Sequence, residues 1–179
     1  MIKIVLLVIA VLIVVFLIVV AMRPSQFRVE RSILIDAPPS AAFAQVENFH
    51  RWQAWSPFEK VDPDMRRTFE GPDAGVGAIY DYAGDKNVGE GRMTILRSQA
   101  DQRIDIQLDF RKPFEAHNLA EFTFKPVGEK TEVTWAMSGR HTFLFKAIGV
   151  FMSMDKMVGG MFEQGLRDLK QLSESAPAQ

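Results

Sequence analysis

The sequence contains no cysteine, which removes a disulfide framework, a thiolate nucleophile and every cysteine-based zinc or iron–sulfur site at once. Histidine is almost as scarce. His50, His117 and His141 are separated by 67 and 24 residues, so no local metal-binding spacing exists and no metal or cofactor is implied. An excess of charge of one sign is missing too. With 21 Lys+Arg against 22 Asp+Glu the formal charge is −1, without the clustered basic residues that a nucleic-acid footprint needs. There is no Gly-x-Ser-x-Gly elbow. The glycines from Gly71 to Gly77 lie between strand-like runs rather than ahead of a helix, which makes them a turn and not a phosphate loop.

What is present first is a long apolar run. From Ile4 to Met22 all 19 residues are apolar, with Lys3 and Arg23 at its edges. At a rise of ~1.5 Å per residue it matches the ~30 Å hydrocarbon core of a bilayer. A transmembrane helix over residues 1–23 is predicted, followed by a short linker at 24–26. Val19 and Ala21 would suit a signal-peptide cleavage site, but such apolar regions usually extend only ~7–15 residues. A buried globular helix would carry a stripe rather than apolar residues on every face. We expect a single-pass protein of a bacterial inner membrane. Arg23, Arg28 and Arg31 against Lys3 and the amino terminus tilt the domain toward the cytoplasmic side by three charges to two.

The remaining residues suffice for one domain, expected over 27–173 with a frayed tail at 174–179. Phe27 to Asp36 alternates as a strand, with a phase shift read near Ser32, and Pro38-Pro39 stops it. Ser40 is the expected cap of a short helix carrying Ala41, Ala42, Phe43 and Val46. A second short helical segment runs from Asn48 to Trp55. Six further strands are expected at 65–69, 78–83, 88–96, 103–110, 118–126 and 131–143, parted by turn residues such as Gly71-Pro72, Gly84-Asp85 and Gly128-Glu129. Short consecutive strands of this kind form an antiparallel meander. Finally Phe151, Met154, Val158, Met161, Gly165, Leu169 and Leu172 recur at steps of three and four, the stripe of a long covering helix. The fold class is α+β: a curved antiparallel sheet of about seven strands gripping a C-terminal helix.

Four segments, Trp52-Gln53-Ala54-Trp55-Ser56-Pro57-Phe58, Gly75-Val76-Gly77-Ala78-Ile79-Tyr80, Val88-Gly89-Glu90-Gly91-Arg92-Met93 and Phe162-Glu163-Gln164-Gly165-Leu166-Arg167-Asp168-Leu169-Lys170, resemble the polyketide cyclase/dehydrase branch of the START-like (SRPBCC, Bet v 1-type) superfamily. The resemblance spans residues 27–172. It implies a helix-grip fold with a cavity between sheet and long helix, used across the superfamily for lipids, sterols and polyketides. Fold alone does not supply an activity.

Candidate ligand-binding residues follow from alternation and from that architecture. Trp52 and Trp55 are expected at one end of the cavity, their indole N–H groups at a wet mouth. Tyr80 and Tyr82 share a strand face and offer hydroxyls to a ligand's polar end. Met93, Phe110, Phe122, Trp135 and Met137 are expected to point inward, with Asn118 and His141 as inward polar groups at strand ends. Met152, Met154, Met157 and Met161 bring adaptable thioethers to the helix, where Gly159-Gly160 implies close packing or space for a ligand. Asp81, Glu90, Asp105, Asp109 and Glu121 fall on the opposite face as solvated charges, which leaves no catalytic residue assigned. The leading expectation is a membrane-anchored module binding an apolar small molecule or lipid. A protein-interaction domain and a cyclase-like enzyme are the alternatives.

Overall fold

The computed structural model describes residues 1–150 and 152–175. Helix α1 covers Ile2–Met22 and leads through three residues of linker into strand β1, Gln26–Ile35. Helix α2, Pro39–Glu47, follows, then two 3₁₀ segments at Phe49–Ala54 and Pro57–Lys60. The strands β2 (Arg66–Glu70), β3 (Ile79–Ala83), β4 (Glu90–Gln99), β5 (Arg103–Lys112), β6 (Ala116–Val127) and β7 (Lys130–Arg140) come next, then helices α3 (Phe143–Ile148) and α4 (Met154–Ser175).

The sheet has seven strands in the order β1-β7-β6-β5-β4-β3-β2, every neighbouring pair antiparallel. Strands β2 to β7 are the meander that tight turns between short strands dictate, and β1 joins the far edge against β7. Helix α4 crosses the concave side, resting mainly on β1 and touching α2, the second 3₁₀ segment and β7. Its stripe faces the sheet, with Phe162, Leu166 and Leu169 buried. Val133, Trp135 and Met137 of β7 and Ile104 and Ile106 of β5 are buried on the same inward side.

Several local expectations are corrected. β1 has no phase shift: Phe27, Val29, Arg31, Ile33 and Ile35 form one continuous inward row in unbroken register with β7. Arg31 belongs to that row because α4 supplies partners, Asp155 and Glu163, each at 2.8 Å. Gly159 leaves the space for it, since a Cβ there would collide with the Arg31 guanidinium. Pro38, not Ser40, is the N-cap of α2, with Pro39 at the first helical position, where its fixed φ and missing N–H cost nothing. β7 stops at Arg140 rather than 143. Thr142 caps α3 there, its hydroxyl accepting from the Phe145 N–H at 3.4 Å, and this short helix replaces the predicted end of the strand. α4 is helical through Glu174 and Ser175, where fraying is predicted, because Glu174 pairs with Lys170 and accepts the Asp36 N–H. The predicted stripe residue Phe151 lies outside the described residues, as does the chain beyond 175.

Candidate ligand-binding cavity

Between the sheet and α4 lies a cavity of about 280 Å³. Inward alternation builds one wall. Tyr80 and Tyr82 come from β3, Met93 from β4, Leu108 and Phe110 from β5, Ala120 from β6, and Trp135 and Met137 from β7. Val158 and Phe162 of α4 form the cover, and Trp52, Phe58 and Glu59 of the 3₁₀ segments close the end. Two glycines shape it. Gly91 sits opposite Tyr82 across β3 and β4, and a Cβ there would overlap the Tyr82 ring. Gly165 lets Pro57 and Trp135 approach α4 so closely that a Cβ would stand 2.8 Å from each.

The back wall is aromatic. Trp135 stacks on Phe162 with centroids 4.2 Å apart and rings 6° from parallel, and on Phe122 at 5.0 Å. Trp55 meets the edges of both Phe122 and Trp135. The indole N–H groups of Trp52 and Trp55 do not serve a wet mouth. They donate to the carbonyls of Val46 and Gln45, at 2.9 and 3.3 Å, and so pin the 3₁₀ turn to α2. Trp52 still contributes its ring to the cavity, whereas Trp55 and Phe122 are fully buried behind it.

The carboxylate at this cavity is one that strand alternation does not reveal. Glu59 is only 6% exposed. Its Oε1 accepts the Tyr80 hydroxyl at 2.5 Å and its Oε2 accepts Arg67 Nε at 2.8 Å. Arg67 is fixed in turn by donating to the carbonyls of Pro63 and Met65. Burial, then the neighbouring Glu59, pushes the Tyr80 phenol far above its ordinary range. Burial pushes Tyr82 up to about 12, so both tyrosines face the cavity as neutral hydroxyls. No periodicity points at Glu59, because a 3₁₀ turn follows neither the helical nor the strand period.

The other predicted residues lie elsewhere. His141, Met154 and Met157 line a second cavity of about 240 Å³ bounded by the end of α1, the start of β1, α3 and the start of α4. Met152 lines it too, while half exposed. Met161 is half-buried and touches neither space. Asn118 borders an open groove beside Phe27 and Gly139. Asn118 Oδ1 and His141 Nδ1 are buried without a hydrogen-bond partner, and His141 packs its ring on Phe27 at 4.8 Å. Gly160 of the Gly159-Gly160 pair faces open space.

On the outer face the acids are paired rather than merely solvated. Asp81 binds Arg92 at 2.6 Å and Arg111 at 3.0 Å. Asp105 is buried beneath Arg97 and Arg103, and Glu121 bridges Arg28 and Arg103. Among the described residues no group of three His, Asp or Glu side chains is placed to hold a metal ion.

Comparison with known proteins agrees with this architecture. The family described as polyketide cyclase / dehydrase and lipid transport matches residues 26–174. Among solved structures, a Mesorhizobium loti protein is 19% identical with a TM-score of 0.59, covering 85% of this chain and all of its own. The Aha1 dimer from Colwellia psychrerythraea is 14% identical with a TM-score of 0.60 over 85% of this chain and 99% of its own. The di-domain ARO/CYC StfQ from the steffimycin biosynthetic pathway is 11% identical with a TM-score of 0.61, over 84% of this chain and 51% of that one. At these identities the likeness is one of fold. No curated protein sequence matches the chain significantly.

Proposed function

We propose that this chain, which belongs to the polyketide cyclase/dehydrase and lipid transport family, is a membrane-tethered module that binds a compact apolar molecule between its sheet and α4. The observation that carries the proposal is the cavity itself, whose walls are mostly aromatic and aliphatic side chains with a few polar ones, Ser56, Glu59, Tyr80, Tyr82, Asn87 and Arg92. Size narrows the class. A cavity of roughly 150 Å³ accommodates one benzene, so about 280 Å³ suits two or three fused rings or a short acyl chain rather than a two-chain phospholipid.

The tether rests on α1, one helix long and apolar enough to cross a membrane and exposed over nearly all of its surface. Its foot meets α3, and around that junction Phe143, Ile148 and Met152 are 57%, 37% and 50% exposed. Apolar side chains gathered there suit the boundary of a bilayer, where amphipathic rings and thioethers find both an apolar and a wet neighbour. Alkaline carbonate should leave the full chain in the membrane pellet, and its appearance in the supernatant would remove the tether.

Catalysis is the second reading, because Glu59 and Tyr80 put titratable groups on the cavity wall. Both oxygens of Glu59 are already engaged, by Arg67 and Tyr80, an arrangement better suited to holding a ligand than to cycling a proton. The binding test is titration of the full chain in lipid nanodiscs with N-phenyl-1-naphthylamine. Saturable fluorescence enhancement is expected, with loss in Ala120→Leu, which builds extra carbon into the cavity. Equal binding by the two proteins would place the probe outside the cavity.

A further inference from the structure

The polar groups on the cavity wall are not neutral as to what they can bind. Arg92 binds Asp81 through Nε and Nη2, Asn87 donates to Asp85, and the indole N–H groups of Trp52 and Trp55 donate to backbone carbonyls, while the Trp135 indole, stacked on Phe122 and Phe162, remains a donor on the lining. The Tyr80 hydroxyl has one proton, and that proton is committed to Glu59. Arg67, the cation that balances Glu59, approaches from behind and does not line the cavity. A carboxylate has about four lone-pair sites, of which Arg67 and Tyr80 occupy two. The buried corner formed by Glu59 with Tyr80 therefore offers acceptors and no donor of its own. Ser56 and Tyr82 keep hydroxyls that can turn either way.

We infer that the cavity selects an apolar molecule carrying a hydrogen-bond donor, a hydroxyl or an amine, and that Glu59 is the residue that reads it. A donor placed there completes the coordination of a buried carboxylate. An ether of the same shape leaves that carboxylate unsatisfied, and a ligand carboxylate meets a like charge. A buried hydrogen-bonding site rejects an analogue lacking its partner far more strongly than an apolar wall rejects a change of shape. The inference rests on the cavity reading above and adds the polarity of the ligand to it.

Three probes of one shape test it by calorimetry on the full chain in nanodiscs, with empty discs subtracted: 2-naphthol, 2-methoxynaphthalene and 2-naphthoate. Naphthol should bind roughly tenfold or more tightly than the ether, as a hydrogen bond to a charged acceptor requires, and naphthoate should bind most weakly. Glu59→Gln, which keeps the shape but supplies a donor of its own, should bring naphthol and ether within about threefold of each other. If that variant loses the ether as well, Tyr80→Phe decides. It retains the carboxylate and frees a lone pair, so preference for naphthol should persist or grow, and its disappearance would overturn the assignment to Glu59. Equal wild-type affinity for naphthol and ether would overturn the inference while leaving the cavity reading intact. Failure of all three probes to bind would remove the cavity reading and the inference with it.

Discussion

Trp135 is held between Phe122 on one face and Phe162 of α4 on the other, which joins sheet and helix through a single side chain. Trp135→Ala should lower the unfolding free energy by about 3–5 kcal/mol, the usual cost of deleting a buried large ring, read from urea denaturation in mild detergent. Met157→Ala removes a side chain that is 43% exposed and should stay within about 0.5 kcal/mol of wild type. His141 sets a pH dependence. Burial, helped by Lys146, lowers its pKa from the ordinary value, so the unfolded chain takes up a proton that the folded ring resists. Stability should be complete above about pH 6.5 and decline as the pH falls below it. In His141→Asn the decline between pH 7 and pH 5 should flatten, and a wild-type stability that instead rises over that range would reverse the sign. At this scale alternation was informative where both faces of a strand differ, as for Trp135 and Met137. It was silent on Glu59, whose place in a 3₁₀ turn follows no period, and misleading for Arg31, a charge in an apolar row that only its partners on α4 explain.

Helix α4 offers a controlled comparison within one element. A glycine in a helix interior costs about 1 kcal/mol relative to alanine, and Gly160 and Gly165 differ in what surrounds them. Nothing lies within 4 Å of a Cβ at Gly160, so Gly160→Ala should stabilise the protein by about 0.5–1 kcal/mol. At Gly165 a Cβ would press on Pro57 and Trp135 at 2.8 Å, and Gly165→Ala should destabilise by about 1–3 kcal/mol as overpacked cores do. Thermal unfolding of the two variants beside wild type would show midpoints moving in opposite directions. The stripe of α4 was readable because a 22-residue helix repeats its period several times. Helix α3 was not, since its six residues repeat almost nothing and Thr-Phe-Leu-Phe favours strand by composition. Thr142 as a cap was the available signal, and it is visible only once β7 is known to stop at Arg140.

The whole molecule joins two parts that the sequence separates cleanly: an apolar helix of membrane-spanning length and an α+β domain whose meander and covering helix follow from periodicity and turn residues. Its outer sheet face is laced with ion pairs such as Arg92–Asp81 and Arg103–Asp105, while the cavity gathers apolar side chains between sheet and α4. The polar corner at Glu59 was not legible, because it arises from contacts among residues 59, 67 and 80 that only the folded chain brings together. The most direct measurement is native mass spectrometry of the full chain purified from its own host in mild detergent, followed by denaturation and identification of whatever it carries. One small apolar molecule per chain is expected, bearing a hydroxyl or amine and absent from Ala120→Leu. A passenger retained equally by Ala120→Leu, or a chain that is empty in every preparation, would contradict the account.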